Sequence, residues 1–236
     1  MEPLDLTDTS ITAFLLWLLV ILPVAAWHTK QHFDLGLPYG PKPRMFFYTI
    51  FCLAITLSLG LNAALAAGVE LFPERIPRPQ FLLLGGLVAV AKVIFADWSW
   101  NRSTEAQLAR LRRLLPETKP QFAAWVVVSV LAGVGEEAAY RGVLFALGWK
   151  LTGMLWAAAL LSAVAFAVAH LAQGWRSVAV VFVYGLLYQL LVALTGDLYV
   201  AIGVHITYDL LLGVLAMTHF APRDLLAKAK DSQVSF

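Results

Sequence analysis

Charge is what this sequence has least of. Asp, Glu, Lys and Arg make up 14% of its 236 residues, where a soluble domain carries about a quarter. Hydrophobic residues make up 60%, and the mean hydropathy is +0.76. That balance excludes an ordinary soluble enzyme and makes lipid the relevant solvent. The apolar runs are long and continuous rather than alternating, which argues against a β-barrel. The fold class is therefore all-α, a polytopic membrane helical bundle, because spanning segments must satisfy their own backbone. Cysteine is almost absent. Cys52 stands alone, so no intramolecular disulfide can form. The chain shows no internal repeat and no low-complexity segment. It has no Gly-x-Ser-x-Gly, no phosphate loop and no His-Glu-x-x-His, which argues against rhomboid-like serine chemistry and the usual zinc-helix proteases. A net charge of +2 gives no reason to expect a nucleic-acid partner. The leader before Ile11 is acidic (Glu2, Asp5, Asp8), so the first apolar run reads as a span rather than a cleavable signal.

What is present is about seven apolar runs, near 11–28, 45–69, 80–97, 121–149, 153–171, 176–195 and 198–219. Each approaches the ~20 residues that cross ~30 Å of hydrocarbon. Proline- and glycine-rich loops separate the early runs, at 28–44 and 70–80. Positive-inside counting favours seven spans with the N-terminus outside. The inside loops then hold Lys30, Lys42, Arg44, Arg102, Arg110, Arg112, Arg113, Lys119, Arg176, Arg223, Lys228 and Lys230. The outside loops hold only Arg75, Arg78 and Lys150. An eight-span alternative splits the run 121–149, which is roughly 43 Å as one helix. Gly133, Gly135 and Gly142 allow a bend or tilt there. In the loop 97–121, Leu108, Leu111 and Leu115 recur at helical spacing between arginines. That pattern predicts a short surface helix, either lying on the membrane or simply solvated. Trp98 and Trp100 sit where an aromatic belt would be.

Ionisable residues inside the apolar runs carry the functional signal. A charge at a bilayer helix centre costs roughly 2.5–3.5 kcal/mol on insertion scales, and such residues usually face a protein interior or a water-filled cavity. Glu136-Glu137-Ala-Ala-Tyr-Arg141 places three within six residues. Glu137 and Arg141 share a helix face and can pair, while Glu136 points about 100° away. Phe166 and His170 form a second i, i+4 pair, and His205 and Asp209 a third. Singly, each has a structural explanation: a histidine bonded to a carbonyl, a His–Asp pair, an ion pair. Jointly, carboxylates and imidazoles on three helices are what a water-activating site needs, with a base for the water's proton and donors for the oxyanion. Lys92 can snorkel or pair but has no evident partner. Asn62 suits a bond between helices. His28, His32 and His219 read as interfacial, and Asp97 and Asp197 as span ends.

In order and spacing, Glu136-Glu137-x-x-x-Arg141, Phe166-x-x-x-His170 and His205-x-x-x-Asp209 resemble the three motifs of the CAAX protease and bacteriocin-processing family (CPBP, or Abi). That family includes the type II CAAX prenyl endopeptidases. The resemblance covers about 121–219. It divides the chain into N-terminal membrane helices with a basic interfacial loop (1–120), a CPBP-like catalytic helical core (121–219) and a polar C-terminal tail (220–236). It implies an intramembrane endopeptidase acting on a membrane-anchored peptide or protein within the lipid bilayer, in a multi-pass protein of a bacterial inner membrane. Members have been described both as glutamate-dependent proteases without a cofactor and as metalloproteases, in which case zinc is the expected ion. In the glutamate-dependent description Glu136 and His170 activate water. His205 and Asp209 support the oxyanion or orient the site, and Glu137, Arg141 and Phe166 assist. The eukaryotic prenyl proteases carry Asn at the last position, whereas bacterial members accept either residue. An ionised Asp209 cannot donate a hydrogen bond, so orienting His205 or donating while protonated is its expected role.

Two other classes stay open on the residues alone. One is a proton-coupled transporter or channel, which a short chain without an inverted repeat fits poorly. The other is a non-catalytic scaffold of the same fold. Span counting also poses a geometric question. His170 falls near one membrane face and His205 nearer the other, so they meet only if a helix is tilted, broken or short, or if the loop near Ala172-Gln-Gly-Trp175 stays within the membrane.

Overall fold

The computed structural model describes residues 6–37, 40–74 and 76–234, with side chains as far as residue 220. Of the residues used in the charge count and leader reading, Glu2, Asp5 and Arg75 lie outside the described residues, as do the side chains of Arg223, Lys228 and Lys230. Among the described residues the secondary structure is helical, with no strand. α1 is Thr9–Asp34, α2 Lys42–Ala67, α3 Pro79–Trp100 and α5 Lys119–Thr152. Between them, α4 is Glu105–Leu114. The remaining helices are α6 Leu155–Ala169, α7 Trp175–Thr195 and α8 Tyr199–Val234.

Six of these helices are long and apolar enough to cross a membrane, so the protein is a polytopic helical bundle. The exception is the segment expected at 153–171. Its helix α6 has only 15 residues, about 22 Å at 1.5 Å per residue, which is short of ~30 Å. The run 121–149 is not split. It is part of one continuous 34-residue helix, which carries a π-helical stretch, Glu137–Leu144, that includes Gly142.

Local sequence sets the boundaries. The Asp8 side chain accepts hydrogen bonds from Ser10 N (2.8 Å) and Ile11 N (3.2 Å) and starts α1. Pro43, Pro79 and Pro120 sit in the first turns of α2, α3 and α5, where a missing N–H costs nothing. Thr104 and Gln107 form a reciprocal capping box at the start of the surface helix α4. Left-handed Gly68 and Gly196 (φ 62° and 79°) terminate α2 and α7.

α5 runs through the middle. It packs along α2 on one side and α8 on the other, while its C-terminal part lies against α6; α6 in turn packs on α7, and α3 on α8. Every residue from Glu137 to Arg141 is buried. The largest apolar cluster forms around this stretch, joining Ile11, Phe14 and Leu18 of α1 to Ala63 and Ala67 of α2, Val143 and Leu147 of α5, and Phe166 of α6. Gly133 permits the close approach of α5 and α8. A Cβ there would meet Ile206 Cγ1 at 2.4 Å and the backbone N of Ile206 at 3.2 Å. Asn62 does not bridge helices; it donates to Ser58 O of its own turn at 2.8 Å. The Trp100 and His219 rings meet edge to face.

Candidate active site

The π-helical stretch of α5 sets the site. A wide i→i+5 turn inserts extra backbone into the helix, an arrangement frequent at functional sites. Here it carries Glu137, Tyr140 and Arg141 inward together. The two adjacent carboxylates end in different surroundings. Glu137 is fully enclosed: its Oε1 accepts from Arg141 Nη1 (3.2 Å) and from His205 Nδ1 (2.7 Å). The Glu136 side chain keeps 17% exposure and lines an internal cavity of about 680 Å³.

His205 is the hub. With Nδ1 committed to Glu137, a carboxylate that only accepts, the imidazole is held in one orientation. Its Nε2 faces Glu136 Oε2 at 3.6 Å and Asp209 Oδ2 at 3.8 Å. The Asp209 backbone carbonyl accepts from Trp125 Nε1 at 2.7 Å, which ties α8 to α5 one turn below His205. His170 caps the end of α6, and its Nδ1 bonds Phe166 O at 2.8 Å. That bond leaves Nε2 for the cavity, which His170 also lines. The Phe166 ring touches both histidines, with centroids 4.6 Å from His170 and 6.4 Å from His205, and Arg141 lies 4.0 Å over its face.

The structure thus brings Glu136, Phe166, His170, His205 and Asp209 to the wall of one cavity and sets Glu137 and Arg141 directly behind it. The geometric question about His170 and His205 resolves through the shortness of α6. α6 ends at His170, and a 3-10 turn, Leu171–Gln173, leads the chain on to α7. The same cavity extends to Arg110 of α4, Arg176 of α7 and Lys30 of α1. The site therefore communicates with the end of the bundle where the basic residues gather.

Sequence reasoning missed Lys92. It neither snorkels nor lacks a partner: it is 4% exposed, donates to Tyr188 OH and lies over three tyrosine rings that border the cavity. The signal was a lysine inside an apolar run. Its partners come from α7 and α8, about a hundred residues away in sequence, so no local spacing reveals them.

Among the described residues no three His, Cys, Asp or Glu side chains are arranged as a metal-ligand set.

Fold and site together define a class: a helical membrane protein with carboxylates and imidazoles gathered around an internal cavity. Residues 118–211 match a family model, Type II CAAX prenyl endopeptidase Rce1-like. That segment contains all three motifs and supports a CAAX-type protease. No curated protein and no solved structure matches the chain.

Proposed function

We propose that this protein is an intramembrane endopeptidase that hydrolyses a peptide bond in or next to the membrane, with water activated by Glu136 and His170. The observation that carries the proposal is the convergence of Glu136, His170, His205 and Asp209 on one cavity. Of the two carboxylates, Glu136 is suited to accept the water's proton, because Glu137 is already occupied by Arg141 and His205. His170 Nε2 orients the attacking water. His205, fixed through Nδ1, presents Nε2 toward the reacting carbonyl, and its doubly protonated form donates to the oxyanion. Asp209 orients His205 and balances its charge. The proton held by Glu136 then passes to the leaving amine, which completes hydrolysis.

The substrate is a membrane-anchored peptide or protein. The family description makes a prenylated CAAX-type C-terminus the first probe to test. Asp at 209, which bacterial members accept, and the gathering of basic residues at one end support a bacterial inner membrane as the location, with the basic end in the cytoplasm.

Glu136→Gln and His170→Ala lose cleavage by at least ~100-fold, the scale of general acid–base assistance, with unchanged thermal unfolding. His205→Ala loses cleavage and also unfolds earlier, because it takes a donor from Glu137. Peptide cleavage by purified protein in lipid vesicles, followed by mass spectrometry, measures this. Full activity in Glu136→Gln overturns the mechanism. Elemental analysis with a chelator decides whether zinc takes part: stoichiometric zinc and chelator-sensitive cleavage would replace the metal-free route.

A further inference from the structure

Lys92 lies outside the three motifs and outside the segment 118–211 that matches the family model. It sits near the middle of α3, a 22-residue apolar helix, at a depth where an unpaired ammonium is costly. Its surroundings are built for a cation. Nζ lies 4.4 Å from the Tyr184 ring centroid, 4.3 Å from Tyr188 and 3.8 Å from Tyr208, so the negative faces of three rings surround it. The Tyr188 hydroxyl accepts one of its hydrogens. Tyr184 and Tyr188 stand one turn apart on α7, and Tyr208 comes from α8 beside Asp209.

Two lines lead from this cage to the site. The first is packing. The Tyr188 ring lies against the His205 imidazole, 5.5 Å between centroids and 31° between planes. The second is charge. Three carboxylates, Glu136, Glu137 and Asp209, crowd His205, whereas Arg141 is the cation paired within the motif. Lys92 is a second buried basic group beside them. Tyr208, one of the rings around its Nζ, directly precedes Asp209, and Lys92 and Asp209 line the same cavity.

We infer that Lys92 is a positioning residue of the site: its caged ammonium balances Asp209 and, through Tyr188, holds His205 against Glu137 and Glu136. The inference rests on the proposed protease reading for its effect on rate, but an energetic coupling of Lys92 with Asp209 can be tested without any substrate.

The test uses the full chain in four forms: unaltered, Lys92→Met, Asp209→Asn and the double variant. Thermal unfolding in detergent is the substrate-free readout. Lys92→Met strands an anion and unfolds at lower temperature. Adding Asp209→Asn removes that anion, so the double variant unfolds at a higher temperature than Lys92→Met alone. A part that merely fills space predicts additive losses, and additivity within error overturns the inference. If Lys92→Met yields no folded protein, recovery of folded double variant supports the pairing and its failure overturns it. The second readout is kinetic, on any peptide the unaltered chain cleaves. Lys92→Met lowers kcat by roughly tenfold or more with KM little changed, because the residue acts on the site and not on substrate binding. An unchanged kcat also overturns the inference. If the unaltered chain cleaves nothing, the protease reading fails, and the unfolding temperatures still decide whether Lys92 and Asp209 are coupled.

Discussion

Adjacent residues of one chemical type take opposite parts here, and their surroundings decide which. Glu136 and Glu137 differ by one position, yet one borders the cavity and the other has no exposure at all. Breaking a buried pair by removing one partner typically costs about 3–5 kcal/mol, because the other charge is left uncompensated. Arg141→Met is therefore expected to lower the unfolding temperature steeply, whereas Glu136→Gln leaves it unchanged. Comparing the two by thermal unfolding in the same detergent separates the structural half of the motif from the half facing the cavity. The Glu137–Arg141 pair was legible in the sequence because i, i+4 spacing is a property of the helix itself. The bond from His205 to Glu137 was not, since it joins residues 68 positions apart and depends on how α8 meets α5.

At the scale of elements, the site depends on how closely two helices approach. Gly133 lies one turn before the carboxylates on α5, and Ile206 directly follows His205 on α8. Gly133→Ala would place a methyl group against Ile206 and its backbone, an overpacking that usually costs about 1–3 kcal/mol. The expected result is a lower unfolding temperature and a loss of cleavage, since separating α5 from α8 draws His205 away from Glu136. Ile206→Ala in the same chain should recover part of both, and equal losses with and without it would count against this account. The apolar periods and turn residues announced most helices, and the spacing of Leu108 and Leu111 announced α4. The π-helical stretch left no such mark. The glycines suggested a bend, whereas the wide turn brings Glu137, Tyr140 and Arg141 inward among residues of neighbouring helices that are distant in sequence.

Across the whole molecule, the basic end is held together by ion pairs between distant segments. Lys42 at the start of α2 reaches Glu117 (2.8 Å) and the Leu115 carbonyl (2.9 Å), and Arg112 of α4 also bonds Glu117. Arg110 pairs with Asp34 at the end of α1. Burial by itself raises the Glu117 carboxyl, but the hydrogen bonds from Lys42 and Arg112 outweigh it and hold the group below its ordinary value of 4.5. A carboxylate with a lowered folded-state pKa contributes stability above its unfolded value and loses it as pH falls through the folded one. Glu117→Gln should therefore unfold earlier than the unaltered protein near neutral pH, and the gap should close in acid below 4.5. A gap that persists there would mean that the pairing is not electrostatic.

The truncated α6 has a consequence for the surrounding lipid. A 15-residue helix followed by a 3-10 turn falls short of a full hydrocarbon thickness, a mismatch that a bilayer accommodates by thinning locally, here beside His170. Such a dimple would bring bulk water and the polar tether of an anchored chain to the same depth. Membrane thickness would then act as a dial on how readily the two reactants meet.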